Sequence, residues 1–331
     1  MLKSLHIKNF RGFRDLKIDS LKRVNLLTGQ NNTGKTGVLE ALVLLLSEPE
    51  SNQRQLLPKL FRPVGGDWNE NYWKWLFNNR KLENNLEIKV SFDNRDDFSV
   101  ILQPDPQIPI DYDSALLRPF GQLGHINCYG VGYRQPIKSK PAIFSTKPSD
   151  PVQDAIDFNR VVLKKRNKQV EELLRQIEPR LETLQPLQFG QFGQPPQPST
   201  PLIYAGISGL SEMIPVTQLG QGFNRLLDIY SELVVADAKV LLIDEIENGL
   251  HYSVLPLVWK GLFLAAKEFD VQIFATTHSW ECILEADKAA REWEPYELEL
   301  IRLDRVNEDI KATIIDQGAL ATAKELKWEM R

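Results

Sequence analysis

One run of residues, Gly29-Gln30-Asn31-Asn32-Thr33-Gly34-Lys35-Thr36, constrains this chain more than anything else in its 331 positions. It fits the pattern G-x-x-x-x-G-K-[ST] in full, and a chance match in a chain this long is on the order of one in a hundred. Glycines at that spacing let backbone N–H groups curl around phosphate oxygens, and the N-terminus of the next helix adds positive potential. Gly29, Asn31, Asn32, Thr33 and Gly34 would form the cradle. Lys35 would reach the β- and γ-phosphates, and the Thr36 hydroxyl would bind Mg²⁺. The context agrees. Arg23-Val24-Asn25-Leu26-Leu27-Thr28 reads as a short buried strand ahead of the loop, and a helix apolar on most faces is expected from about Lys35 to Ser47.

Two further apolar strands end in chemistry. Val240-Leu241-Leu242-Ile243 runs into Asp244-Glu245. A carboxylate at Asp244 can hold Mg²⁺ directly or through water, and Glu245 is placed to act as a general base on an attacking water. Val271-Gln272-Ile273-Phe274-Ala275-Thr276-Thr277 runs into His278, which can contact a γ-phosphate and hold the water in line. A strand ending in acids is weak evidence alone; downstream of a full phosphate loop it becomes strong.

Together with Glu247-Asn248-Gly249-Leu250-His251 and Thr276-Thr277-His278-Ser279, these motifs resemble the ABC-type ATPases. The branch that fits best is the RecF, structural-maintenance-of-chromosomes (SMC) and OLD group. The opening Ile7-Lys8-Asn9-Phe10-Arg11-Gly12-Phe13 is similar to that group's N-terminal strand and arginine. The resemblance covers most of residues 1–48 and 200–290. It implies an α/β P-loop NTPase: an ABC-type ATPase head with a mixed central sheet, an N-terminal antiparallel β region and a helical insert. It implies ATP and Mg²⁺ as ligands, Glu245 as the catalytic glutamate and His278 as the switch histidine. Asn248 would belong to a D-loop that crosses a dimer interface, and Arg11 would reach the nucleotide phosphates in cis. Leu219-Gly220-Gln221-Gly222-Phe223-Asn224-Arg225 stands where the signature sequence belongs, although its serine-glycine-glycine core is missing. Small residues at a helix N-terminus can still donate backbone N–H groups, so Gly220, Gln221 and Gly222 are expected to close over a partner subunit's γ-phosphate. No Q-loop glutamine is assigned; Gln103 and Gln135 are weak candidates.

Elsewhere the reading is coarser. Leu2, Leu5, Ile7, Phe10, Leu16 and Ile18 alternate as strands, Leu86–Phe92 and Phe98–Leu102 read as a hairpin, and His125–Tyr133 as another strand. Residues 49–83, with Trp68, Trp73 and Trp75, are expected to be irregular, their aromatics filling a small satellite core. Val170, Leu174, Ile177, Leu181 and Leu184 suggest a short pair of helices over 153–184, interrupted near Pro179. Arg160, Lys164, Lys165, Arg166 and Lys168 read as a solvated face, with a nucleic-acid patch as the alternative. The stretch from Leu187 to Pro198 is a Gln/Gly/Pro-rich loop. Residues 1–331 are expected to form one ATPase domain: an N-terminal lobe over 1–150, the helical insert and loop over 151–200, and a C-terminal lobe over 201–331.

Composition narrows function. With 42% hydrophobic and 25% charged residues the chain is globular rather than disordered. A net charge of -4 provides no global basic field, though 40 Lys and Arg leave room for a local patch. Cys128 and Cys282 read as core thiols of a cytoplasmic protein, and no apolar signal core or membrane span is visible. The leading expectation is a nucleotide-driven homodimer switch acting on a partner effector, in the manner of phage-defence systems. A RecF-type DNA-repair ATPase is the second reading, and a transporter's nucleotide-binding subunit a third. A small-molecule kinase or GTPase would explain the phosphate loop but not the Asp244-Glu245 and His278 strands together. The segment beyond His278 is too short for the Toprim domain of OLD nucleases, and Asp111-Tyr112-Asp113 reads as a turn, so no nuclease centre is expected in this chain.

Overall fold

Apolar runs bounded by glycines and polar turns produce strands that alternate with helices through most of the chain. The computed structural model describes residues 1–46, 72–93, 96–107, 109–110, 117–123, 126–131, 142–144, 150–188 and 201–325. Strands β1 (Leu2–Phe10) and β2 (Phe13–Ile18) form a hairpin; β3 (Val24–Thr28) leads through the phosphate loop into α1 (Lys35–Leu46). Then come β4 (Leu86–Phe92), β5 (Phe98–Gln103), β6 (Leu117–Leu123), β7 (Ile126–Val131) and β8 (Ala142–Phe144). Helices α2 (Pro151–Leu163) and α3 (Asn167–Arg175) precede β9 (Leu181–Leu187), β10 (Leu202–Ile207) and β11 (Ile214–Pro215). The remainder is α4 (Gln221–Ala236), β12 (Val240–Ile243), α5 (Leu255–Glu268), β13 (Gln272–Thr276), α6 (Trp280–Arg291), β14 (Leu298–Val306), β15 (Asp309–Ile315) and α7 (Gln317–Glu325).

The strands make three sheets. The central one is mixed, in the order β15-β14-β3-β13-β12-β8, with only β15 antiparallel to its neighbour. A second, antiparallel sheet runs β2-β1-β4-β5-β7-β6, and a third joins β11-β10-β9. Strands buried on both faces read as unbroken apolar runs, and β3, β12 and β13 are buried at every position. Alternate residues of these strands enter two cores. Leu26, Leu241, Ile243 and Ile273 face the helices α4, α5 and α6. Leu27, Leu242 and Phe274 face α1 and the antiparallel sheet. Helix α1 is thus enclosed between two sheets, which is why it is apolar on nearly every face. Buried amides tie the layers. The Gln272 side chain accepts from Leu2 N at 2.8 Å and donates to Leu2 O and Lys22 O at 2.9 and 2.8 Å. Pairing these groups removes the cost of burying them.

β1 to β5, β7, β12, β13 and α1 lie where the sequence places them, and β4 pairs with β5 as expected. Three expectations change. The periodic Leu181 and Leu184 belong to β9 rather than to a helix. Both are buried, because the register with β10 slips between Gly206 and Ile207 and so lets residues three apart face one core. Trp75 fills no core: it is 49% exposed, and Arg80 lies over its ring at 4.1 Å. The basic cluster is partly committed to packing. Lys164 Nζ donates to Val234 O and Val235 O at the C-terminus of α4, and Arg166 pairs with Asp237 at 3.6 Å. Cys282 is a core thiol that burial pushes up to about 12. Trp68, Asp111, Asp113, Gln135 and the loop beyond Gln188 lie outside the described residues, as do the side chains of Trp73 and Cys128. Among the described residues, no helix is long and apolar enough to cross a membrane.

Candidate active site

Parallel strands of an α/β sheet present their C-terminal ends to ligands, where loops and helix N-termini converge. Here β3, β12 and β13 lie side by side, with Leu27 opposite Thr276 and Ile243 opposite Ala275. Their ends therefore bring residues 29–36, 244–247 and 277–279 into one cluster.

The loop after β3 depends on its glycines. Gly29 has φ +134° and Gly34 φ +88°, the left-handed side of the map. A Cβ on Gly29 would lie 2.3 Å from the Leu303 carbonyl oxygen, and one on Gly34 2.6 Å from Phe13 Cζ. Asn32, at φ 63°, uses the tolerance of asparagine for that region. The loop is held from both sides: Thr33 Oγ1 donates to Gln30 O at 2.9 Å, and Arg305 Nη2 donates to Asn32 O at 3.2 Å. Lys35 is 5% exposed and bends across the loop, donating to Gly29 O at 2.7 Å and Gln30 O at 2.9 Å. Burial pulls its ammonium down from 10.5 to about 8, against the opposing pull of Asp244, Glu245 and Glu247.

The cation and water positions are defined next. Thr36 Oγ1 donates to the two Asp244 carboxylate oxygens at 3.1 and 3.2 Å, across the gap between α1 and β12. A hydroxyl and a carboxylate are hard oxygen donors, the chemistry Mg²⁺ takes from a protein when phosphates supply the rest. Among the described residues, no group of three His, Cys, Asp or Glu side chains is arranged to hold a metal alone. A cation here would need a ligand's oxygens. Glu245 turns sharply, with φ 48°, a conformation that costs a non-glycine residue about 1–3 kcal/mol. His278 Nε2 stands 3.9 Å from Glu245 Oε1, so the candidate base and the candidate switch face one another. Ser279 then caps α6 by accepting from Cys282 N at 3.1 Å, which fixes the chain just beyond His278.

Two residues that the sequence reading passed over tie this cluster together. Thr276 Oγ1 donates to Asp244 Oδ1 at 2.7 Å and accepts from Glu245 N at 2.7 Å, while Thr276 O accepts from Ile246 N at 3.0 Å. Glu247 Oε1 accepts from His278 N at 2.6 Å. The only signal for either was position: Thr276 lies two residues before the histidine and Glu247 two after the base. Their partners are cross-strand neighbours about thirty residues away.

The remaining expected residues fall in two other places. Arg11, at the tip of the β1–β2 hairpin, engages the Glu40 carboxylate of α1 with Nε at 2.7 Å and Nη2 at 3.1 Å. Gln221 and Asn248 share the wall of a cavity of about 330 Å³ with Asn224, Arg225 and Gly249. Gly220 caps α4 and opens onto free space, whereas a Cβ on Gly222 would lie 2.4 Å from Val254 Cγ1. Asn248 N donates to Glu245 O at 2.9 Å, linking this second cluster to the first. Gln103 is buried at the end of β5.

Known proteins resemble this chain in sequence and in fold. A family model described as the AAA ATPase domain matches residues 1–188. A second, for an AAA domain linked to type IV toxin–antitoxin systems, matches residues 134–283. A Helicobacter pylori protein named ATP/GTP phosphatase is 25% identical over 337 residues, covering 88% of this chain and 89% of that protein. The DNA replication and repair protein RecF of Lactococcus lactis is 42% identical over 59 residues, 17% of this chain and 16% of RecF, so that likeness is confined to one segment. Among solved structures, an SMC head bound to the C-terminal winged-helix domain of ScpA matches with TM-score 0.56 and 12% identity, over 98% of this chain and 99% of its own. The SMC head domain from Thermotoga maritima matches with TM-score 0.55 and 14% identity, over 95% and 99%. At such identities these structures establish the fold: an SMC-head-like, ABC-type P-loop architecture.

Proposed function

The chain belongs to the AAA ATPase domain family, and from that membership we propose an ATP–Mg²⁺ hydrolase that works as a nucleotide-driven dimer switch. One observation carries the catalytic half of this reading. Thr36, at the start of α1, meets Asp244 at 3.1 Å while Glu245 and His278 face each other at 3.9 Å, just beyond the ends of the adjacent parallel strands β12 and β13. Gly29 to Gly34 wrap the phosphates, and Lys35 exchanges its contacts with Gly29 O and Gln30 O for β- and γ-phosphate oxygens. Thr36 and Asp244 would hold Mg²⁺, which would supply positive charge to offset that of the transferring phosphoryl group. Glu245 takes a proton from the attacking water, and His278 keeps that water in line with the γ-phosphate. Arg11, on the β1–β2 hairpin, would leave the Glu40 carboxylate of α1 to reach the phosphates from the same subunit.

The dimer half rests on the second cluster. Gly220, Gln221 and Gly222 sit at the N-terminus of α4 beside Asn248, an arrangement suited to closing over the γ-phosphate of a second copy. Two ATP molecules would then be sandwiched between two subunits, and hydrolysis would release the clamp and alter affinity for a partner effector. The family model described as an AAA domain, putative AbiEii toxin of a type IV toxin–antitoxin system, is what supports a defence setting for that switch. The segment shared with RecF supports a second reading, in which the dimer binds DNA; that reading predicts steep salt dependence of binding.

The test is phosphate release with and without Mg²⁺. The wild-type protein should hydrolyse ATP only with the metal. Glu245→Gln should bind ATP yet lose at least about a hundredfold in turnover, the range of a general base. Turnover unaffected by Glu245→Gln would remove this assignment.

A further inference from the structure

Asp244 and Glu245 must present two carboxylates in different directions from consecutive residues, one to a cation and one to a water. Consecutive strand residues point to opposite faces, but β12 ends at Ile243, so the sheet ladder does not fix either of them. The left-handed φ of 48° at Glu245 makes the turn, and that conformation persists only where surrounding contacts determine it. Asn248 N closes the turn onto Glu245 O at 2.9 Å, and the contacts that tie it to the Asp244 carboxylate come from one residue of the next strand. Thr276, fully buried at the end of β13, accepts from Glu245 N at 2.7 Å and donates to Asp244 Oδ1 at 2.7 Å. Its own carbonyl accepts from Ile246 N at 3.0 Å.

The direction of these bonds is unambiguous. A backbone N–H only donates, so the hydroxyl oxygen is its acceptor, and the single hydroxyl proton is left for the carboxylate. Thr276 therefore fixes one Asp244 oxygen while Thr36 donates towards both, at 3.1 and 3.2 Å. We propose that Thr276 is a positioning residue of the hydrolytic reaction: its hydroxyl aims Asp244 at the cation and locks the backbone turn that aims Glu245 at water. This rests on the function proposed above and adds to it a residue that touches neither nucleotide nor water. Groups that orient metal-binding carboxylates typically contribute 10- to 100-fold in metal affinity or activity.

The experiment compares Thr276→Val, which keeps the volume and removes the hydroxyl, with Thr276→Ser, which keeps the hydroxyl. Thr276→Ala removes the same hydroxyl without placing a second methyl beside Asp244, and serves if the valine does not fold. Two readouts are taken. The first is Mn²⁺ affinity, by electron paramagnetic resonance, of ATP-loaded protein carrying Glu245→Gln so that nothing turns over. The second is ATP turnover in the otherwise unaltered chain. The hydroxyl-free variants should bind Mn²⁺ at least about tenfold more weakly and lose at least about tenfold in turnover. Fluorescent-ATP binding in EDTA should stay within about twofold, because Lys35 and the loop are intact. Serine should restore both readouts to within about threefold. Valine or alanine variants that bind Mn²⁺ like their parent would overturn the proposal, as would serine failing as fully as valine, which would point to the methyl's packing. The underlying function fails separately. In that case the wild-type protein does not hydrolyse ATP, or Glu245→Gln does not stop it.

Discussion

At the scale of single residues, the site's chemistry begins with a lysine kept in an apolar setting. Burial lowers the Lys35 ammonium to about 8, so the free protein loses this charge as pH rises through that value. The triphosphate favours the charged form. ATP affinity is therefore predicted to be steady below about pH 7.5 and to fall through pH 8–9, with proton uptake on binding in that window. Isothermal titration in buffers of different ionisation enthalpy measures both, and affinity independent of pH from 7 to 9.5 would contradict the assignment. For stability the sign is the reverse. The unfolded lysine holds its proton to about 10.5, so the nucleotide-free fold is predicted to gain stability as pH rises from about 8 to 10.5. Gly34→Ala should be severe, since a Cβ would meet Phe13 at 2.6 Å and φ is +88°. A loss of about 2 kcal/mol or more in urea unfolding is expected. The residues legible in the sequence are those whose partners are close in sequence or fixed by motif: Gly29 to Thr36, Asp244, Glu245 and His278. Thr276 and Glu247 were not legible, because their bonds exist only once β12 and β13 lie side by side.

At the scale of elements, apolar runs announced β3, β12 and β13, and the wholly buried α1 followed from its unbroken hydrophobicity. Where a second signal competed, periodicity misled. Leu181 and Leu184 keep a spacing of three in a strand because a register slip restores them to one face. β6, β8, β10, β11, β14 and β15 were missed; Pro119 and Gly121 interrupt β6, and β8 and β11 are only three and two residues long. The basic run 160–168 shows how an element can serve a neighbour. Lys164 closes the C-terminus of α4 through the carbonyls of Val234 and Val235, so Lys164→Met should cost about 1 kcal/mol in urea unfolding. The same helix depends on a close approach at its start. Gly222→Ala would drive a methyl to within 2.4 Å of Val254 and should destabilise by about 1–3 kcal/mol. If Gly222 mattered only to a partner's phosphate, thermal unfolding of the free subunit would not change.

At the scale of the molecule, the two halves of the chain share one sheet. β3 from the first half lies between β13 and β14 from the second, so the central sheet, and with it the site, forms only when both ends of the chain are folded. The two clusters sit on this frame with different tasks. The ends of β3, β12 and β13 gather the groups proposed to bind and cleave, and the start of α4 with Asn248 carries those proposed to meet a second copy's nucleotide. The bond from Asn248 N to Glu245 O joins them. The central claim is that ATP brings two such chains together, and the solution mass of Glu245→Gln by light scattering, with and without ATP–Mg²⁺, tests it most directly. The substitution keeps the side chain's size and removes the base, so the nucleotide is held. The account predicts the 37.9 kDa monomer without nucleotide and a particle of twice that mass with it. A mass that does not respond to ATP–Mg²⁺ would contradict it.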